Sequence, residues 1–174
     1  KILPKVLYVV VFILMTTKKC AGCKKTFSLD KFKSTNAKGE FHRKMCTSCR
    51  NIEQNKNKSR SPETYLKSIF THLQYSRKKK NPDMLWALEA QDLIDIWHKQ
   101  KGMCALTGLV MTYHKDGAGK KDLNASIDRI DPHTYYIPSN IQLVCSRVNI
   151  LKHTLSEDLL YWWCKNIVEF KEKD

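Results

Sequence analysis

No apolar run in this chain of 174 residues reaches membrane-spanning length. The longest, Val6 to Met15, covers ten residues, about half of the roughly twenty that a helix needs to cross a bilayer. Lys1 and Lys5 give it the charged flank of a signal peptide, but Thr16-Thr17-Lys18-Lys19-Cys20 supplies no small-x-small cleavage site. Acidic residues are scarce in the first half. Residues 1–80 hold 4 Asp/Glu against 20 Lys/Arg, whereas residues 81–174 hold 13 against 11. A surface so short of carboxylates suits a polyanion, because each neutralised phosphate releases a condensed counterion. A phosphate-binding P-loop is absent as well. The run Lys115 to Lys121 contains Gly117-x-Gly119-Lys120 but lacks the first Gly and the closing Ser/Thr. It reads as a flexible basic loop, and no internal repeat is present.

What is there begins with seven cysteines. The first four stand as Cys20-x-x-Cys23 and Cys46-x-x-Cys49. Each pair puts two thiolates on a tight turn, and two such turns close a tetrahedral Cys₄ zinc site with no open position. The expected role is structural. Phe27, Leu29 and Phe32 offer only a small apolar cluster between the pairs, so the metal supplies much of the stability. His42 is read as a surface residue, since four thiolates already complete the shell.

The expected organisation is a leader over 1–14 that is not native or marks a fragment, with Met15 as an ordinary start. A Cys₄ zinc module follows over 15–55, then a basic linker and helices over 56–102, then a core and a last helix over 103–174. Asn51 to Arg60 reads as a polar linker. Ser61-Pro62-Glu63 starts a helix, with Leu66, Ile69, Phe70 and Leu73 facing the core. Arg77-Lys78-Lys79-Lys80 closes it ahead of Asn81-Pro82. A second helix spans Ala90 to about Gln100 with Gly102 as its stop, and Met103 to Tyr113 reads as a hairpin turned at Thr107-Gly108. Ser156-Glu157-Asp158 opens the last helix. Its Leu159, Trp162, Trp163, Ile167 and Phe170 are expected in the core, as is the thiol of Cys164.

The chemistry lies between these helices. Ser126-Ile127-Asp128-Arg129-Ile130-Asp131 reads as a strand carrying Asp128, Ile141 to Val144 as a second strand, and Asn149-Ile150-Leu151-Lys152 as a short helix. This order can aim a carboxylate and an amide oxygen at one point, and a hard divalent cation is held by few such oxygens. The pattern resembles the ββα-metal (HNH) endonucleases, whose core runs Asp-His, a central Asn, and Asn or His ahead of Lys. Here Arg129 stands where that His would be. The Asp-Arg…Tyr…Asn…Asn-x-x-Lys version is similar to restriction and phage members of the family, over about Cys20 to Leu160.

The resemblance implies an α+β fold: a small Cys₄ module, helices, and a C-terminal ββα-metal core. It implies hydrolysis of DNA phosphodiesters, with Mg²⁺ or Mn²⁺ on Asp128 and Asn149 and with Asn140 holding the loop. Arg129 stays protonated and cannot serve as the base; it would clamp the phosphate and stabilise developing charge. Tyr136 is the first candidate base, given help from a neighbouring cation, and His133 is its rival. Lys24, Lys25, Arg43, Lys44, Arg77, Lys78, Lys79, Lys80 and Lys152 would meet the DNA backbone. Related proteins carry a second Cys₄ site, but here Cys104 and Cys145 keep company with Thr107 and Val148, so a single zinc is expected. Leu106, Leu109, Ile127, Ile130, Ile141, Leu143 and Val144 should then hold that core by packing. A C₂ homodimer fits the resemblance. The expected setting is cytoplasmic, in a host cell if the protein is viral, with no membrane partner. The alternative is a zinc-dependent nucleic-acid-binding protein with a degenerate, inactive core.

Overall fold

A Cys-x-x-Cys pair needs a tight backbone turn, and the first folded unit supplies one. In the computed structural model, which describes residues 16–115 and 121–173, Cys20 N–H donates to Lys25 O at 2.8 Å and Lys24 N–H to Cys20 O at 3.0 Å. The turn holds Lys24 at φ 61°, where a side chain costs strain. Strand β1 (Thr17–Lys19) leads in and β2 (Thr26–Ser28) leads out, paired antiparallel. A 3-10 turn, Leu29–Phe32, drops Phe32 into full burial beside Cys20 and Cys46. Strands β3 (Lys33–Asn36) and β4 (Gly39–His42) form a second hairpin. The chain divides into two compact units, Lys1–Lys56 and Asn57–Asp174. The expected leader over 1–14 and the Gly117–Lys120 loop lie outside the described residues.

Helix α1 (Thr47–Lys58) replaces the expected linker. None of its residues is buried, so no apolar periodicity announces it; its start is fixed instead by the second thiol pair, where Cys46 N–H donates to Cys20 Sγ at 3.2 Å. A helix of this kind depends on what anchors its first turn, because a polar helix of about twelve residues is marginal in water.

The second unit opens on α2 (Pro62–Lys80), as its start and stop signals predict. Ser61 Oγ accepts from Thr64 N–H at 3.3 Å, and the helix ends at Lys80, before Asn81-Pro82. Leu66 and Phe70 are buried, while Ile69 and Leu73 pack against the core. Helix α3 (Ala90–Lys99) is capped reciprocally by Glu89 and Asp92. It stops at Gly102, where φ is +70° and an added Cβ would lie 3.0 Å from the Trp97 ring.

The segment after Gly102 departs from the expected hairpin. It is a knuckle: Cys104 N–H donates to Leu109 O at 2.9 Å and Gly108 N–H to Cys104 O at 2.9 Å, with only an isolated Met103–Val110 bridge as strand pairing. The bonds match those at Cys20 position for position, and Gly108 takes the positive φ that Lys24 takes there. Strand β5 (Ala125–Arg129) and β6 (Ile141–Cys145) then pair antiparallel with Asp128 opposite Gln142. Helix α4 (Ser146–Lys152) completes a ββα unit.

The fold is therefore α+β, with small antiparallel sheets among helices. The core of this unit gathers Leu66, Phe70, Leu88, Leu93, Met111, Ile141, Leu143 and Val144. Cys104 and Cys145 are buried within it. Leu109 and Ile130 are not core residues, at 52% and 41% exposure, because the knuckle turns Leu109 outward and the strand ends before Ile130. Helix α5 (Glu157–Lys171) begins as predicted, Ser156 Oγ accepting from Leu159 N–H at 3.2 Å. No residue on it is buried, so the expectation that its tryptophans and Cys164 enter the core fails.

Candidate functional site

Alternation along β5 sends Asp128 and Arg129 to opposite faces of the hairpin, and each face builds its own cluster. On the α4 side, Asn149 Nδ2 donates to Ser126 Oγ at 2.7 Å and to Ile127 O at 3.0 Å. Lys152 follows one turn later. It is fully buried, and its Nζ lies 3.2 Å from Asp128 Oδ2 and donates to Arg129 O at 2.7 Å. Gln142, the cross-strand neighbour of Asp128, donates to Asp128 Oδ2 at 3.1 Å and to Glu157 Oε1 at 2.6 Å. Asp128 is thus only 4% exposed, and both its oxygens are engaged.

One expectation is corrected here, and a second meets a different arrangement. Lys152 was expected at the DNA backbone, but an ammonium with no exposed surface cannot reach a phosphate; its charge is spent on Asp128. Asp128 and Asn149 were expected to hold Mg²⁺ or Mn²⁺. They share a face, yet a cation on Asp128 would sit against the Lys152 ammonium and displace Gln142. This donor set does not fit a divalent ion as it is arranged.

The opposite face is built around Tyr136. Its ring stacks on Trp86 at 4.8 Å and 24°, and Ala87 N–H donates to Tyr136 O at 3.2 Å. The Arg129 guanidinium lies 5.1 Å from the ring centroid and that of Arg77 lies 5.8 Å away, both within cation–π range. Arg129 Nη1 also donates to Thr134 O at 2.8 Å, which fixes its approach. Tyr136 itself is buried, at 5% exposure, within the core of this unit.

Asn140 pins the intervening loop. Its Oδ1 accepts from Asp131 N–H at 2.8 Å, and its Nδ2 donates to Asp131 O, Thr134 Oγ1 and Tyr135 O at 3.0, 2.6 and 3.1 Å. His133 is exposed, its backbone N–H held by Asp131 Oδ1 at 2.9 Å. Of the expected DNA contacts, Lys24, Lys25, Arg43, Lys44, Lys78, Lys79 and Lys80 are all exposed. Arg77 is half-buried at Tyr136 rather than a free surface charge.

The sequence reading missed Trp86 and Gln142. Trp86 sits in an irregular segment with no periodic signal, whereas Gln142 was accessible in principle, as the residue that faces Asp128 once the strand register is set.

The four N-terminal thiols form a separate centre. Cys20, Cys23, Cys46 and Cys49 bring their sulfurs within 4.8 Å of one another. A Zn–S bond of about 2.3 Å sets tetrahedral sulfurs roughly 3.8 Å apart, so this cluster fits zinc. The Cys46 N–H donated to Cys20 Sγ is the main cause that lowers the Cys20 thiol to about 6. The Cys46 side chain, with burial next, pushes Cys49 up to about 12. Such a split is expected where thiolates crowd together and no cation offsets them.

No protein-family model matches the chain, and no curated protein sequence matches it. Among solved structures, the chain is similar to the one described as "An extraordinary mechanism of DNA perturbation exhibited by the rare-cutting HNH restriction endonuclease PacI". The two share 17% identity at a TM-score of 0.41, over 87% of this chain and 94% of that one. No helix among the described residues is long and apolar enough to cross a membrane.

Proposed function

We propose that this chain is an HNH-type DNA endonuclease, residues 57–174 holding the chemistry and the Cys₄ module, with zinc, gripping the backbone. The observation that supports it is the pair of guanidinia, Arg129 and Arg77, that converge on the ring of the buried Tyr136. Two planar cations at one point match the oxygens of a single phosphate. They hold the diester and stabilise charge that develops on it during hydrolysis. Tyr136 Oη is the group within that grip that can take the proton of an attacking water. The Asp128–Lys152 pair fixes β5 to α4 and so sets where Arg129 emerges.

The buried ion pair of Asp128 also favours a second reading, a nucleic-acid-binding protein that does not cut. A plasmid-nicking assay separates the two. The endonuclease reading expects nicked and linear product that Arg129→Ala and Tyr136→Phe reduce at least a hundredfold, with DNA binding retained by Tyr136→Phe. Binding without cleavage in Mg²⁺, in Mn²⁺ and in EDTA would leave only the binding reading. Cleavage that EDTA abolishes while zinc stays bound, and that Asp128→Ala also abolishes, would mean that Asp128 exchanges Lys152 for the cation.

A further inference from the structure

The first unit holds more than its thiols. A cleft of about 360 Å³ opens between the end of β4 and helix α1, with Phe41, Arg43, Lys44, Arg50, Glu53 and Gln54 in its lining. That volume lies at the lower end of small-molecule sites, roughly 300–1,000 Å³. The thiol cluster fixes both walls. Cys46 joins them and Cys49 precedes Arg50, while Arg43 N–H donates to Phe32 O at 2.9 Å and Ala21 N–H to Lys44 O at 3.1 Å. On α1, Arg50, Glu53 and Gln54 stand at i, i+3 and i+4 and so share one face. We propose that this cleft takes one unpaired nucleotide of a single strand, with guanine preferred. The inference rests on the nucleic-acid reading of this unit and deepens it, since the module then reads a base besides gripping a backbone.

The platform for a base is already in place. The Arg43 guanidinium lies 5.1 Å from the Phe41 ring centroid, within cation–π range. The ring thereby holds the guanidinium as an oriented plane, and unpaired bases stack on such planes and on aromatic rings alike. Arg43 and Lys44 also supply charge for the phosphate of the same nucleotide. Arg50 adds an unfinished group. Its Nη2 donates to Lys33 O at 3.3 Å and to Thr47 Oγ1 at 3.0 Å. Its Nε is sealed from water without a partner, which holds for no other side-chain nitrogen or oxygen among the described residues. An unpaired buried donor costs free energy, so this guanidinium gains by turning onto an acceptor in the cleft.

Edge chemistry selects the base. Glu53 is the one carboxylate in the lining, and an ionised carboxylate only accepts hydrogen bonds. Guanine sets two donors side by side, N1–H and N2–H, and carries the O6 and N7 acceptors that suit arginine. Adenine and cytosine place an acceptor beside their amino group, and thymine flanks its single N–H with two carbonyls. Base pairing occupies the N1 and N2 donors, so the guanine must be unpaired. Arg43, Lys44 and Arg50 outnumber Glu53, which keeps the cleft cationic and favours a nucleotide over an uncharged ligand.

The test is fluorescence anisotropy of the full zinc-loaded chain, without added magnesium or manganese, on labelled strands of about 12 nucleotides, within the roughly 4–16 of a single-strand site. An all-thymidine strand is compared with strands that carry one central guanosine, adenosine or cytidine. The guanosine strand should bind about tenfold tighter than the others, as one good bidentate base contact gives. Glu53→Ala should remove that advantage, and Phe41→Leu should weaken the guanosine strand at least about fivefold through the lost stack. Glu53 is exposed, so zinc content and circular dichroism of its variant should match the wild type. Lys25→Ala, outside the cleft, should weaken all four strands alike and keep the preference. Equal affinity for the four strands overturns the proposal while leaving the DNA reading intact, as does a guanosine preference that survives Glu53→Ala. A chain that binds neither these strands nor duplex DNA overturns the nucleic-acid reading as well.

Discussion

Lys152 shows how one residue's burial changes its meaning. A lysine with no exposed surface is stable only if its charge is matched, and Asp128 at 3.2 Å matches it. Removing one partner leaves an uncompensated buried charge, at a cost of about 3–5 kcal/mol. Lys152→Met should therefore lower the unfolding free energy by about that much in a denaturant titration, and Lys152→Met/Asp128→Leu should recover much of it. A wild-type denaturation curve from Lys152→Met would mean that the pair does not form. Tyr136→Phe is the complementary case. It keeps the stack on Trp86 and both guanidinium contacts, so it should change stability by less than about 1 kcal/mol while removing the oxygen proposed as the proton acceptor. His133→Ala should leave cleavage within about twofold; a loss of roughly a hundredfold or more would reassign the base to His133.

At the scale of elements, the Cys₄ centre and the Cys104 knuckle are built alike, yet one suits a metal and the other a packed core. The backbone bonds agree, and Cys145 N–H donates to Cys104 Sγ at 3.2 Å just as Cys46 N–H does to Cys20 Sγ. The third residue after each thiol differs: Cys23 and Cys49 in one, Thr107 and Val148 in the other. Thr107→Cys/Val148→Cys should thus bind a second zinc per chain by elemental analysis, whereas neither single variant should. In the first unit, zinc removal should melt β1–β4 and α1, because Phe32 with the thiols is nearly all the core there is. Far-ultraviolet dichroism of chelated protein checks this. The pH dependence follows from Cys20. Its folded thiol is lowered from 9.0 to about 6, so its contribution is present above the unfolded value and lost as pH falls through about 6.

Over the whole molecule, charge is the controlling quantity. With 20 Lys/Arg against 4 Asp/Glu in residues 1–80, binding to DNA should be dominated by counterion release. If six to ten phosphates are contacted, affinity should fall about 10³- to 10⁵-fold between 50 and 200 mM salt. Replacing Lys78, Lys79 and Lys80 with alanine should flatten that slope by about three contacts, at similar cost for any DNA sequence. A slope near zero would remove the polyanion reading.

The sequence by itself determined the local features. Two thiol pairs specified a Cys₄ cluster that fits a metal, Ser61-Pro62 and Ser156 specified helix starts, and the order of Asp128, Asn140 and Asn149 specified a strand pair followed by a short helix. Each depends on groups a few residues apart, and short spacing fixes geometry directly. Only the tertiary structure decided how charges and surfaces pair. It placed Arg77 from α2 beside Arg129 from β5 at one tyrosine, gave Lys152 to Asp128 instead of to solvent, and left the tryptophans of α5 uncovered. Those outcomes depend on what packs against a residue, and desolvation by a distant element leaves no trace in the spacing of the chain.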